Sequence, residues 1–165
     1  MKSVADKEAA MTYTQQMLDA YPGEINLDRK HLAAVIDALT TCAQVCTSCA
    51  DACLSEKAEH LPMLTRCIRD DLDCAAICAT TAAVLSRHTG YDANLTRAQV
   101  QAAIQATRTC GDSCGEHAGT HEHCRICSQV CQETHEALNA LLPALRPDPG
   151  AGADPPSQAA PQRRG

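Results

Sequence analysis

The residues best able to do chemistry are twelve cysteines that fall into four groups along the chain. Within the groups they recur mostly every three or four residues, which places them on one face of a helix. They are Cys42, Cys46, Cys49 and Cys53, then Cys67, Cys74 and Cys78, then Cys110 and Cys114, and finally Cys124, Cys127 and Cys131. Thiolates select soft metals, namely Cu(I), zinc or iron–sulfur clusters. The spacing therefore predicts four helices with inward-facing, metal-binding thiols.

Explanations other than metal binding suit so many thiols poorly. A buried cysteine often serves as a small hydrophobic residue, which would explain one or two positions but not twelve. Disulfides within a helix are disfavoured, because residues three or four apart have Cβ atoms about 5–6 Å apart and a disulfide needs about 3.5–4.5 Å. The CxxC pairs at Cys46 and Cys124 do not follow a strand, as a thioredoxin-type redox site would.

Start and stop signals predict the helices that must position these thiols. A short helix over residues 9–20 lies in an N-terminal extension, residues 1–25. The first two of four longer helices are predicted over residues 27–57, with Asn26 as N-cap, and over 61–88, with Pro62 in the first turn and Gly90 as C-cap. The third is predicted over 96–118, with Thr96 and Gln99 as a capping box. The fourth follows a turn at Gly119 and Thr120 and ends before Pro143. Their short links predict an all-α, antiparallel up-down-up-down four-helix bundle at residues 26–142. The Pro-, Gly- and Ala-rich residues 143–165 are predicted to form a disordered tail.

Antiparallel packing would collect the thiols in one half of the bundle. They lie late in the first and third bundle helices and early in the second and fourth. In the other half, apolar residues such as Val35, Leu39 and Leu138 continue the same helical faces. We therefore expect a thiol-lined half and a half packed with ordinary core residues.

This continuous row of thiols favours Cu(I) over the other soft metals. Zinc prefers separate tetrahedral sets of four ligands, and one iron–sulfur cluster would leave eight cysteines unused. Cu(I) accepts two or three sulfurs, so neighbouring thiolates can bridge several ions, with roughly one ion per cysteine as the estimate. An iron–sulfur redox protein and a zinc or thiol buffer or sensor remain the alternatives.

Five polar residues are further candidates for the metal site or its entrance. Asp71 occupies a cysteine-like position and is either associated with metal or paired with Arg66 or Arg69, because an unpaired buried carboxylate is costly. His117, His121 and His123, together with His60, fall near the loops at the thiol end, where imidazoles could pass copper inward. We interpret three further histidines as solvated surface residues: His31, His88 and His135.

Charge and composition exclude several other functions. The net charge of −6 argues against a nucleic-acid partner. The sequence has no uninterrupted run of 18 apolar residues and no apolar signal region near its start, which predicts a cytosolic protein without a membrane span. No nucleophile–base combination is evident, so we do not expect an enzyme.

These motifs resemble the cytosolic copper storage proteins, a family of cysteine-rich four-helix bundles. The resemblance covers about residues 26–142 and is carried by CAQVC (42–46), CIRDDLDCAAIC (67–78), SRHTGYDANLTRA (86–98) and CGDSCGEHAGTHEHCRIC (110–127). It implies a homotetramer, Cu(I) inside each bundle, and entry beside a histidine-containing loop. We also expect a cytosolic copper carrier to deliver the ions. The resemblance also implies that the twelve cysteines are the ligands, accompanied by Asp71 and by His117, His121 and His123 at the mouth.

The chain departs from a fully cysteine-lined family member in its apolar half. Six positions there hold other residues where the resemblance would place further cysteines: Val35, Leu39, Ala103, Thr107, Thr134 and Leu138. We therefore expect a lower copper capacity than that of a fully lined relative, with storage or buffering of Cu(I) as the function.

Overall fold

The computed structural model describes residues 11–147 of the chain. Five α-helices and one short 3-10 helix account for the regular structure of this part, which contains no strand. They are α1 (Tyr13–Asp19), α2 (Arg29–Leu54), α3 (Leu61–Leu85), α4 (Ala93–His117), α5 (Glu122–Leu141) and the 3-10 helix Leu142–Ala144. The predicted all-α fold is confirmed, and the short N-terminal helix is present as α1.

Aspartates set the starts of two bundle helices. Asp28, rather than the predicted Asn26, is the N-cap of α2, and its carboxylate accepts a hydrogen bond from the His31 amide at 2.6 Å. Asp92 is the N-cap of α4 and accepts from the Leu95 amide at 2.9 Å. The predicted capping box at Thr96 is wrong, because the nearer carboxylate of Asp92 already satisfies the amide groups of this helix start. Pro62 does lie in the first turn of α3, as predicted.

The four long helices pack as a ring. Helix α2 contacts α3 and α5, and α4 contacts the same two helices. The relative orientation of α2 and α5 follows from contacts between their cysteines. Cys42 lies beside Cys131, whereas Cys53, further along α2, lies beside Cys124, which is earlier on α5. Helices α2 and α5 are therefore antiparallel, and the α2–α3 and α4–α5 loops lie at the same end of the bundle.

The half of the bundle away from these loops is a packed apolar core. Leu39, Val100 and Leu138 have no solvent-exposed surface. The threonines buried among them donate to the carbonyl group one turn earlier, as Thr107 does to Ala103 at 2.8 Å and Thr134 does to Val130 at the same distance. Their hydroxyl groups are thus satisfied inside their own helices, which removes the cost of burying them.

Small residues bring α4 and α5 close together in the thiol half. A Cβ atom added to Gly111 would lie 3.3 Å from the Cβ of Cys131, closer than most such contacts. Ser128 donates across the interface to the carbonyl oxygen of Gly111 at 2.9 Å. This close approach lets the cysteines of the two helices face one another.

The ordered chain continues beyond the predicted start of the tail. Pro143 lies inside the 3-10 helix, and Leu145 is 1% exposed. Arg97 of α4 donates to the carbonyl oxygens of Leu142 at 3.1 Å and Leu145 at 3.0 Å. The tail boundary at residue 143 is therefore too early by at least three residues. Residues 1–10 and 148–165 lie outside the described residues, and the division into domains otherwise stays a prediction.

Helix α2 is long and apolar enough to cross a membrane by length and composition alone, although the sequence shows no uninterrupted apolar run of the required length. Core helices of bundles meet the same criterion. The buried residues of α2, including all four of its cysteines, face α3 and α5. This packing explains its apolar character without a membrane.

Candidate metal centre

The twelve cysteines are all buried, and all are free thiols. Each is at most 2% exposed to solvent. They lie on the inward faces of α2, α3, α4 and α5, in the half of the bundle next to the α2–α3 and α4–α5 loops. The sequence correctly predicted that the cysteines face inward and that they lie in one half of the bundle.

Cys46 is the centre of the deeper thiols. Its Sγ lies 3.6 Å from Cys131, 3.7 Å from Cys127, and 3.8 Å from both Cys42 and Cys110. These separations are far longer than a disulfide bond of about 2.05 Å. They place sulfurs from three helices around the same space, where one ion can contact two or three of them.

The four-sulfur sets of this region overlap. One set contains Cys42, Cys46, Cys74 and Cys131, and within it all sulfurs lie within 4.8 Å of one another. A second set meets the same limit and replaces Cys42 and Cys74 with Cys110 and Cys127. Cys46 and Cys131 thus belong to both. Separate zinc sites would each need their own four ligands, whereas shared sulfurs suit bridging between Cu(I) ions.

Asp71 lies between the deeper thiols and the loops, with no exposed surface. Its Oδ1 accepts from the thiols of Cys110 at 3.1 Å and of Cys114 and Cys127 at 3.2 Å. Burial raises the pKa of Asp71 to about 8, although hydrogen bonds from Cys110 and Cys114 act in the opposite direction. The carboxyl group is therefore mostly protonated at neutral pH in the copper-free protein.

The proposed pairing of Asp71 with an arginine is wrong. Arg66 pairs with Asp70 at 2.9 Å and Arg69 with Asp73 at 2.8 Å, both on the bundle surface. Their position one turn apart on α3 explains the outcome, because i,i+4 partners are neighbours on a helix face. This leaves Asp71 on the inner face among thiols.

The thiols differ in their readiness to lose a proton. Burial raises the pKa of Cys53 above its usual value, because a thiolate is poorly solvated there. A hydrogen bond from Cys114, whose sulfur lies 3.4 Å away, lowers the pKa of Cys67. Neighbouring thiols can thus stabilise a thiolate that no water reaches.

One histidine joins the thiols nearest the loops. The Nδ1 of His123 lies 3.4 Å from the sulfur of Cys124, 3.6 Å from Cys49 and 3.8 Å from Cys53. These four residues offer three sulfurs and one nitrogen within 4.8 Å of one another. We call them the mouth set.

The other loop histidines form a layer outside the mouth set. His121 is 5% exposed, and its ring centroid lies 5.4 Å from that of His123. His60 lies 5.6 Å and His117 lies 6.5 Å from His121 by the same measure. The structure thus brings together all four histidines that the sequence placed near the loops, and His123 is the one that contacts the thiols.

Sequence reasoning missed Glu56, which lies just after α2. Its Oε1 contacts the Nδ1 of His121 at 2.8 Å and the Nε2 of His123 at 3.0 Å. Hydrogen bonds from His123 and His121 lower the pKa of this carboxyl group. The available signal was an acidic residue three positions after Cys53, which by itself does not distinguish a functional residue from a solvated one.

The remaining histidines lie away from the thiols but are not simply solvated. His135 contacts the carbonyl oxygen of Ile104 at 3.0 Å through its Nδ1. His88 packs edge-on against Tyr21, with ring centroids 5.5 Å apart, and burial lowers its pKa. His31 is also half-buried. The prediction of solvated surface residues is therefore wrong for His88 and His135, because their rings contact neighbouring groups.

Comparisons with known proteins agree with this geometry. A family model described as copper storage protein matches residues 28–143. No match to a curated protein sequence was found.

Three solved structures from Streptomyces lividans are similar to the chain. The copper storage protein Ccsp loaded with 10 copper equivalents is 50% identical over 79% of this chain and 98% of that chain, with a TM-score of 0.77. A histidine-to-alanine mutant of Ccsp is 52% identical over 74% of this chain and 100% of the mutant chain, with a TM-score of 0.71. A cytosolic copper storage protein loaded with five coppers is 54% identical over 69% of this chain and 93% of that chain, with a TM-score of 0.67. With its twelve thiols buried in one half of a helical bundle, the chain belongs to the copper storage protein family.

Proposed function

We propose that this protein stores and buffers several Cu(I) ions in the cytosol by coordinating them with the thiolates of one bundle half. The observation that carries the proposal is the sharing of Cys46 and Cys131 between two four-sulfur sets. Shared sulfurs fit bridged Cu(I), and they fit neither separate zinc sites nor a single iron–sulfur cluster. The reduced number of thiols relative to a fully lined bundle gives a correspondingly reduced capacity.

The proposed copper ligands are the twelve cysteines, with Asp71 and three histidines in supporting roles. Asp71 accepts hydrogen bonds from nearby thiols in the copper-free protein, and it can offer an oxygen to copper once those thiols have lost their protons. His123 completes the mouth set, whereas His117 and His121 form the outer layer through which ions enter. Because thiolates hold Cu(I) more firmly than imidazole does, ions would move inward from the histidines to the deeper sulfurs.

A cytosolic copper carrier is the proposed donor, and a homotetramer is the proposed assembly. The homotetramer is implied by the resemblance to the family. The carrier suits a cytosolic protein, and a related Streptomyces lividans protein is named a cytosolic copper storage protein. We propose no enzymatic activity, because the buried titratable groups of the described residues serve metal binding.

Anaerobic titration with Cu(I) tests the storage function. We expect the reduced protein to withdraw several Cu(I) ions per monomer from a competing chelator, up to roughly one per cysteine. Binding should release protons, because each thiolate ligand must first lose one. Saturation after one or two ions, or a brown, sulfide-containing protein on purification, would rule out Cu(I) storage in favour of a single site or an iron–sulfur protein.

Removal of the loop histidines tests the entry route. We expect simultaneous replacement of His117, His121 and His123 with Ala to slow both Cu(I) uptake and chelator-driven removal in stopped-flow experiments. The final capacity should change little, because the thiols remain. His135→Ala, which lies away from the thiols, is the matched control. Uptake rates equal to those of the parent protein would place the entry elsewhere.

A further inference from the structure

The loop residue Glu56 joins the two loops at the mouth of the bundle. It follows the C-terminus of α2, while its partners His121 and His123 lie at the start of α5. One carboxylate oxygen contacts both rings, at 2.8 Å and 3.0 Å. The Glu56 side chain is 26% exposed, so it lies at the rim and not in the core.

Hydrogen-bond chemistry fixes which ring nitrogens carry protons. An ionised carboxylate only accepts hydrogen bonds. The nitrogens that face Glu56, Nδ1 of His121 and Nε2 of His123, must therefore be the protonated ones. In a neutral His123 ring this leaves a lone pair on Nδ1, the atom that faces the sulfurs of Cys49, Cys53 and Cys124.

The position of His121 indicates that these contacts are not a by-product of helix capping. His121 is the N-cap residue of α5, yet its side chain makes no capping hydrogen bond. An N-cap is usually Ser, Thr, Asp or Asn, whose side chain satisfies the free amide groups of the first turn. Here the buried ring is directed toward Glu56 instead.

We propose that Glu56 is a positioning residue that clamps His121 and His123 and thereby holds the Nδ1 of His123 toward the three thiols of the mouth set. The inference rests on the proposed Cu(I) storage function, which makes the mouth set the first group of soft ligands that an entering ion meets. Carboxylates that accept from the second nitrogen of a metal-binding histidine orient the ring, and their loss commonly costs 10–100-fold in affinity or activity.

The test compares Glu56→Ala with Glu56→Gln and with the matched control Glu59→Ala. Glu59 is 72% exposed and lies 3.8 Å from His60, so its removal takes away the same charge from the same loop without touching His121 or His123. Circular dichroism and total copper capacity verify that each variant is folded and still stores copper.

The first readout needs no copper. Long-range proton–nitrogen NMR spectra of the reduced, copper-free parent protein are expected to show one proton on Nδ1 of His121 and one on Nε2 of His123. Glu56→Ala should give mixed tautomers for His121 and a mobile His123 ring, whereas Glu59→Ala should match the parent. Parent-like imidazole signals in Glu56→Ala would overturn the clamp whether or not the protein stores copper.

The second readout is the uptake rate of the first Cu(I) equivalent from a chelator complex. We expect Glu56→Ala to slow it by about tenfold or more, with total capacity unchanged. Glu56→Gln should keep most of the parent rate, because its amide oxygen still accepts from both rings. Equal slowing by Ala and Gln would assign the effect to charge and overturn the positioning role. A parent protein that binds no more than two ions would instead contradict the storage function, and the NMR spectra would then decide on the clamp by themselves.

Discussion

Replacing Asp71 with Asn is expected to stabilise the reduced, copper-free protein by up to about 4 kcal/mol at pH 7. The folded-state pKa of about 8 lies above the unfolded-state value of about 3.9. Between these pH values the folded protein binds more protons than the unfolded chain, so its free energy of unfolding falls as the pH rises. Asn imitates the protonated carboxyl group and removes this loss, which amounts to about 1.4 kcal/mol per pH unit.

Urea unfolding of the copper-free protein between pH 4 and pH 8 measures the effect. We expect the two proteins to have similar stability near pH 4 and to diverge as the pH increases. Asp73→Asn is the control, because Asp73 lies on the same helix but is 54% exposed and paired with Arg69. A stability difference that stays constant across this pH range would show that Asp71 is already ionised in the folded protein.

Replacing Leu39 with Ala is expected to lower the free energy of unfolding by about 2–5 kcal/mol and to leave the copper capacity nearly unchanged. Leu39 has no exposed surface and lies in the apolar half of the bundle. Its truncation removes buried methyl groups and leaves a cavity, which accounts for the cost. Because Leu39 lies outside the thiol half, the number of Cu(I) ions bound at saturation should change little.

Two further variants make this comparison decisive. Leu54→Ala removes the same atoms from the same helix at a residue that is 59% exposed, so its effect should stay within about 0.5 kcal/mol. Cys46→Ser should show the opposite pattern, losing one or more bound ions, because Cys46 contacts four other thiols. A folded Leu39→Ala protein with a large loss of capacity would contradict the division into an apolar and a thiol half.

Some features of the site could be predicted because they depend on local geometry. The spacing of Cys42, Cys46, Cys49 and Cys53 places them on one side of any α-helix. Short links between helices make neighbours antiparallel, which was enough to gather all twelve cysteines at one end. Helix starts were predicted less well, because several polar residues near each boundary compete to cap the helix, and at α2 and α4 the aspartates bind the amide groups.

The sequence by itself determined the all-α bundle, the inward thiols, the half they occupy and the family, since each of these follows from periodicity, chain order or motif. Only the tertiary structure decided which sulfurs share an ion-sized space, such as Cys46 with Cys131. It also decided that Asp71 faces thiols and that Glu56 contacts both His121 and His123. The physical reason is that contacts between helices depend on their rotation, their axial offset and the side-chain rotamers that packing selects. Residue spacing within one helix specifies none of these.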